Sequence, residues 1–404
     1  MRVLLIGSGG REHALARALV ASPVLTELHA APGNPGIARL GRCHPVKAAD
    51  VDGLVDLAAA LRIDLAVVGP EAPLVAGAGD ALRRAGILVF GPGGAAARIE
   101  GSKAFAKEVM AAAGVPAAAT LRDPVAPCVV KADGLAAGKG VFVCTTHAEV
   151  DAALPRAHAF GNEVLIEELL VGEEASVFVV ADGERCLALP AAQDYKRIGD
   201  GDTGPNTGGM GAYSPVPRLP DADIEAIVES VHRPVLAELA ARGTPFVGVL
   251  YAGLMLTDAG PRVLEFNARM GDPETQVVLP RLETDFLELV AAAAGGDLGD
   301  SELRLSEDCA VTVVLASRGY PETTEPGVEI RGLEEAEREG AIVFHAGTAL
   351  RDGRVVSAGG RVLNVTALGG TVAQARERVY AAIERIDFPG CQYRTDIALR
   401  AVHA

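Results

Sequence analysis

Residues 263–274, VLEFNARMGDPE, place a carboxylate, an amide and a guanidinium at alternating positions. Side chains in a strand face opposite sides in turn, so Glu265 and Asn267 project together while Leu264 and Phe266 turn to the core. One carboxylate and one amide oxygen on a shared face suit Mg2+, which often takes one or two protein oxygens and completes its shell with water and substrate phosphates. Arg269 follows at the strand end, and Gly271-Asp272-Pro273 turns the chain beyond it. This spacing offers a phosphate-handling site; the other reading is a capped edge strand with solvated charges.

The basic residues point the same way. Only six of the 37 are lysines: Lys47, Lys103, Lys107, Lys131, Lys139 and Lys196. Where the composition favours arginine, a position that stays lysine is a candidate for needing a compact ammonium. Lys131 and Lys139 bracket a Gly/Ala-rich loop between strands 129–131 and 141–143. Such a loop allows close backbone approach and carries movable positive charge over a phosphate. It lacks the G-x-x-x-x-G-K-[ST] spacing of a Walker A loop.

These residues need a large scaffold. A chain of 404 residues, 49% hydrophobic and 22% charged, holds two to four globular domains. A net charge of −16 argues against a nucleic-acid surface. The six cysteines show no metal-ligand spacing, and no apolar run is long enough for a bilayer, so a cytoplasmic protein with reduced thiols is expected.

Strand 3–6 feeds Gly7-Ser8-Gly9-Gly10-Arg11-Glu12 and a helix to about Val20. A glycine turn at a helix N-terminus is an anion site. Glu12 stands where a dinucleotide fingerprint needs its third glycine, and the second strand ends without an acid for a ribose. A smaller phosphate ester therefore fits better than NAD. Strands 65–68 and 87–90 also end in glycine loops, making residues 1 to about 100 a doubly wound α/β domain on which Gly9–Glu12, Asn34 and Glu71 converge. Ser102 is positioned to cap a helix ending at Gly114. Strand 164–170 can offer backbone groups to an adenine, with Glu173 or Glu174 in the following turn free for a ribose; an exposed acidic turn is the alternative. Residues 201–211 are expected to be a long irregular loop, for which a surface linker is the bland reading. A helix spans 225–242, a hairpin joins 247–256 to 261–267, and the remainder, about 305 to 404, shows no cluster of catalytic residue types.

The ordered motifs IGSGGREHAL, GPEAPLVAG, EGSKAF, VVKADGLAAGKGV, IEELLVGEEAS, QDYKRIGDGDTGPNTGGMGAYSP, YAGLM and LEFNARMGDPETQ, followed by FHAGT and SAGGRVLNVTALG, resemble the phosphoribosylamine–glycine ligase (glycinamide ribonucleotide synthetase) family of the ATP-grasp superfamily. The resemblance spans essentially the whole chain. It implies an α/β and α+β multidomain fold: an N-terminal parallel-sheet domain (1–101), an ATP-grasp core (102–300) with an inserted lid at about 118–187, and a small mixed C-terminal domain (301–404). It also implies ATP and Mg2+ or Mn2+ as cofactors, and a monomer acting on small molecules without nucleic acid or membrane.

By the same resemblance Lys103, Lys131, Gly138 and Lys139 meet ATP phosphates or the lid loop, Glu167, Glu168, Leu169 and Leu170 frame the adenine, and Glu174 holds the ribose. Glu265 and Asn267 hold the metal. Gly9, Gly10, Arg11, Glu12, Asn34 and Glu71 face the phosphoribosylamine, while Asp194, Lys196, Asp202, Gly271 and Asp272 border the glycine and acyl-phosphate region. Arg269, Lys139 and Asp202 are the expected catalytic residues.

The implied reaction joins glycine to 5-phosphoribosylamine through glycyl phosphate, in purine biosynthesis. Met270 and Ser8 depart from the usual Phe and Asn, and segments 121–128 and 151–163 are short, implying a trimmed lid. Two rivals are another ATP-grasp carboxylate–amine ligase, separable by glycine-dependent ADP release, and a non-catalytic nucleotide-binding protein, which the missing third glycine disfavours.

Overall fold

A computed structural model describes residues 1–135, 140–161, 163–299 and 301–402. Five parallel strands open the chain, Arg2–Gly7, Glu27–Pro32, Arg42–Cys43, Leu65–Val68 and Leu88–Phe90, with spatial order third, second, first, fourth, fifth. Strands 2–7 and 65–68 are covered on both faces, which is why they read as unbroken apolar runs rather than alternating ones. The order reverses between these two strands, so their carboxyl-end turns flank one crevice. Gly7 there has φ +127°, and a Cβ would sit 2.5 Å from Glu12 Cγ and 3.0 Å from Pro70 Cδ, so only glycine allows the two turns to meet.

The centre of the molecule is a four-stranded antiparallel sheet of Cys186–Ala188, Glu173–Asp182, Val247–Thr257 and Gly260–Asn267, in that order. One face packs on Val109 and Met110 of helix Lys103–Ala112 and on Ile224–Leu239; the other packs on helix Phe286–Gly295. The Ser102 cap is present, its hydroxyl accepting from the Phe105 amide. The helix expected over 225–242 begins earlier, at Asp221, and runs to Ala241 through a π-turn at Val228–His232.

The lid is a three-stranded sheet, Val141–Cys144, Cys128–Ala132 and Val164–Glu168, covered by helix His147–His158. The strand expected to continue to Leu170 ends at Glu168, and the next begins at Glu173, so Glu173 and Glu174 lie on a strand rather than in a turn. Residues 121–127 hold no helix, as Pro124 and Pro127 require.

The last sheet is mixed in origin. Its order is Gln193–Asp194, Gly211–Ser214, Cys309–Ala316, Arg361–Gly369, Ile342–His345, and its first two strands precede residue 301 in the chain. Residues 201–211 are therefore not a loose loop. They contain half of a small hairpin, Arg197–Gly199 with Thr203–Asn206, and Thr207 and Met210 are buried. Among the described residues no helix is long and apolar enough to cross a membrane.

Three buried histidines tie these units. The His345 amide donates to His13 Nδ1 at 2.8 Å, joining the first helix to the last sheet. His232 sits against the Val177 carbonyl of the central sheet. Burial, with His345 and Arg17 adding, lowers His13 to a pKa of about 3; burial likewise lowers His345 and His232 to about 4. The unfolded rings take up protons near 6.5, the folded ones not until pH 3–4. Stability is thus fully present above about pH 6.5 and is lost as pH falls towards 4, with a slope of up to about 1.4 kcal/mol per pH unit for each ring. Urea unfolding measured from pH 7.5 downward should show this decline beginning near 6.5; a flat profile to pH 5 would show that the folded rings protonate normally.

Candidate active site

A cavity of about 630 Å³ opens where the three large sheets and the lid meet, within the size range of small-molecule sites. Arg11, Glu71, Lys103, Lys131, Glu167, Glu168, Leu169, Leu170, Glu174, Asp194, Lys196, Asp202, Glu265, Asn267, Arg269, Gly271 and Asp272 all line it. Gly138 and Lys139 lie outside the described residues.

Four expected substrate residues do not face this space. The Asn34 amide donates to the carbonyls of Ser8 and His345, at 2.9 and 2.8 Å, and its oxygen accepts from Ile37 N. Glu12 accepts from Gly9 N and Arg11 Nε, both at 2.6 Å. Their polar atoms are used in shaping the turn, as buried polar groups must be. Gly9 and Gly10 pack behind it, against Glu12 and against Asn364 with Gln276.

The hairpin strand departs from strict alternation. Its register passes from Gly253 opposite Glu265 to Leu254 opposite Val263, leaving Leu264 as a bulge. Leu264 consequently lines the cavity instead of the core, and its carbonyl accepts from Lys131 Nζ at 2.9 Å. Phe266 remains in the core cluster, and Glu265 and Asn267 still reach the cavity.

Charges alternate around the wall. Arg269 donates to Glu100 at 2.7 Å, Glu71 at 3.3 Å and the Asn267 oxygen at 3.1 Å. Burial opposes the charge on Arg269, but Glu100 and Glu71 raise its pKa further. Burial raises the Glu100 carboxyl despite Arg269. Glu167, almost fully buried, sits between Lys107 at 2.8 Å and Lys131 at 2.6 Å, so its carboxylate serves the lysines and only its backbone is left for a base.

Burial would raise Glu265, yet Lys196, Lys131, Lys103 and Arg269 together hold it below the usual carboxylate value. Asp194 is pushed up to about 7, by burial first and then by Glu274, Glu174 and Glu265, against the pull of Lys196. Lys196 pairs with Glu174 at 2.5 Å, and Glu173 is drawn off to Arg218. Asp202, half exposed, is tied to Arg394 at 2.8 Å.

Among the described residues no three or more His, Cys, Asp or Glu side chains gather into a metal cage. Glu265 and Asn267 on one wall, with the Glu265 carboxyl held ionised, nevertheless fit a cation that draws most of its oxygens from water and phosphate.

Family models described as the phosphoribosylglycinamide synthetase N domain, ATP-grasp (A) domain and C domain match residues 1–100, 101–275 and 310–400. The chain belongs to the phosphoribosylglycinamide synthetase family. A phosphoribosylamine–glycine ligase of Streptomyces coelicolor is 54% identical over 421 residues, covering 100% of both chains, and one of Mesorhizobium japonicum is 50% identical, covering 100% of this chain and 99% of its own. The crystal structure of phosphoribosylamine–glycine ligase from Thermotoga maritima superposes with a TM-score of 0.86 at 35% identity, over 98% of this chain and 100% of that one. The biotin carboxylase domain of Hydrogenobacter thermophilus 2-oxoglutarate carboxylase, at 16% identity and TM-score 0.74 over 97% of this chain and 91% of that one, shares the fold.

Within this synthetase framework, sequence reasoning missed several wall residues: Glu100, Lys107, Tyr251, Glu274, Arg361 and Arg400. Lys107 had a signal, being one of six lysines. Arg361 and Arg400 come from the C-terminal part, whose sequence shows no cluster of catalytic residue types; Arg361 donates to Asp272 at 2.9 Å and to its carbonyl at 2.7 Å. Tyr251 and Glu274 share the Ser176 hydroxyl at 3.0 and 3.3 Å.

The Arg269–Glu100 pair gives a stability test. Removing one partner of a buried pair leaves an uncompensated charge, so Arg269→Met should cost about 3 kcal/mol, and adding Glu100→Gln should recover part of it. Chemical unfolding of both single variants and the double variant measures this; strictly additive losses would show that the two groups are not coupled.

Proposed function

We propose that the chain ligates glycine to 5-phospho-D-ribosylamine at the expense of ATP, giving glycinamide ribonucleotide, ADP and phosphate, the second step of de novo purine (IMP) biosynthesis. The observation that carries this reading is the full-length identity to phosphoribosylamine–glycine ligases together with a single wall on which Glu265, Asn267 and Arg269 meet the lysines and the 193–208 stretch.

In the first step a glycine carboxylate oxygen attacks the γ-phosphorus and the bond to the β-phosphate oxygen breaks, releasing ADP. In the second, the phosphoribosylamine nitrogen attacks the acyl carbon of glycyl phosphate, the acyl C–O bond breaks, and phosphate leaves as the nitrogen loses a proton. No side-chain nucleophile is needed, so the work is positioning and charge neutralisation. Lys103, Lys131, Gly138 and Lys139 serve the nucleotide phosphates; the backbone of Glu167–Leu170 frames the adenine and Glu174 the ribose. Glu265 and Asn267 hold Mg2+ or Mn2+, which neutralises phosphate charge. Arg269 stabilises the transferring phosphoryl group, and Asp194, Lys196, Asp202, Gly271 and Asp272 border the glycine. Arg11 and Glu71 face the phosphoribosylamine, Arg11 from the turn shaped by Gly9, Gly10, Glu12 and Asn34 and Glu71 from the turn after strand Leu65–Val68.

The same reading takes the protein as a cytoplasmic monomer acting only on small molecules, with units 1–101, 102–300 (lid at about 118–187) and 301–404. The net charge of −16 supports the exclusion of nucleic acid.

ATP consumption should require both glycine and freshly formed phosphoribosylamine, and ADP release without glycine would point to another carboxylate substrate. Glu265→Gln should raise the Mg2+ needed for half-maximal rate by roughly tenfold; an unchanged metal titration would remove Glu265 from the site.

A further inference from the structure

The stretch bearing Asp194, Lys196 and Asp202 is anchored from behind. Asp194 and Lys196 line the cavity, while Tyr195 between them is buried in the C-terminal core, as alternation in an extended segment requires. The guanidinium carbons of Arg394 and Arg400 lie 4.7 and 4.2 Å from the Tyr195 ring centroid, and Arg400 Nε donates to its hydroxyl at 3.1 Å.

Arg394 has no exposed side-chain surface. Its Nη1 donates to Asp202 Oδ1 at 2.8 Å and to the Arg197 carbonyl at 3.1 Å, and its Nε and Nη2 grip Asp396 at 2.7 and 2.6 Å. Asp396 in turn accepts from Gly201 N at 2.9 Å, and Asp200 accepts from Thr395 N at 2.8 Å. Asp202 is held at φ +55°, a conformation uncommon for a residue other than glycine.

A buried guanidinium needs this many partners, and its planar fork fixes both carboxylates at once, which an ammonium could not do. Lys103 and Lys131 rest on different partners, the Gly134 and Leu264 carbonyls and Glu167.

We propose that Arg394 is a positioning residue for the glycine half of the reaction: by fixing Tyr195 and Asp202 from the C-terminal side, it sets where Asp194 and Lys196 meet the substrate. This rests on the ligase reading above. Arg394 touches no substrate itself; it acts through the loop it staples.

The test is steady-state kinetics of full-length Arg394→Gln and Arg394→Lys, varying ATP, glycine and phosphoribosylamine separately, with thermal unfolding alongside. Misplacement of the loop should raise the glycine KM on the order of 10- to 100-fold and lower kcat, while the ATP KM stays within about twofold. The lysine variant should recover only part of the loss. Asp396→Asn, which loosens the grip on Arg394 from outside the cavity, should shift the glycine KM in the same direction and keeps the test decisive if the Arg394 variants do not fold. A lowered melting temperature and reduced active fraction with every KM unchanged, or an equal rise in all three, would overturn the positioning role. Absence of glycine-dependent ADP release by the unsubstituted protein would instead overturn the ligase reading.

Discussion

Arg269 is a guanidinium enclosed by carboxylates that come from elsewhere in the chain. Glu71 stands at the carboxyl end of the fourth N-terminal strand, Glu100 at the end of helix Gly94–Gly101, and Asn267 on the central hairpin. A charge with little exposed surface is tolerable only with such partners in place. The constraint runs both ways, because Glu100 also accepts from the Ala268 amide and would otherwise be a buried anion. Arg11 extends the cluster, reaching the Met270 carbonyl at 3.3 Å and Glu71 at 4.0 Å. The crevice of the parallel sheet is thereby locked against the hairpin that bears Glu265. Neither surface forms a closed site alone.

The third wall depends on an exchange of strands. Gly211–Ser214 pairs with Cys309–Ala316 in the C-terminal sheet, so the chain leaves the central sheet, contributes to the C-terminal one and returns. What lies between, residues 195–210, is pulled over the cavity and cannot swing away without breaking that pairing. Arg361 closes the seam by donating to the Gly208 carbonyl and to Asp272. Gly209 has φ +108° and lies where a Cβ would collide with the Pro273 ring, so the two loops touch through a glycine. The C-terminal region thus supplies rigidity to the site in addition to its two lining arginines.

Much of this was legible where the cause is local. Doubly buried strands show as apolar runs, the Ser102 cap is set by its own hydroxyl, and Glu265 with Asn267 follows from a period of two. Helix His147–His158 starts at a Thr146–Glu149 capping box, a local signal in the sequence, and carries Pro155 in its last turn. The remainder was illegible for a physical reason. A bulge at Leu264 is a property of the paired register, not of one strand. Glu100 and Arg394 acquire meaning from partners 169 and 192 residues away, in Arg269 and Asp202. Residues 207–211 look unpackable because what buries them, the C-terminal sheet, arrives a hundred residues later in sequence.

The arrangement of charge follows the same logic. A protein of net charge −16 has to receive a polyanion, and it lines its cavity with interleaved lysines, arginines and carboxylates. At the lid, Lys107 and Lys131 share the carboxylate of Glu167, and Lys131, with Lys103, also bears on Glu265. At the hairpin, Glu274, Glu174 and Glu265 bear on Asp194, and it is these carboxylates, on top of burial, that lift it to about 7 against the pull of Lys196. Phosphates suit the lysines, and a divalent cation suits the ionised Glu265 beside Asn267. The proposed Mg2+ needs only the two oxygens of Glu265 and Asn267 from the protein, because the triphosphate supplies further oxygens and charge. A complete protein cage would hold the ion whether or not the nucleotide was present; a half-built one makes metal and ATP bind together.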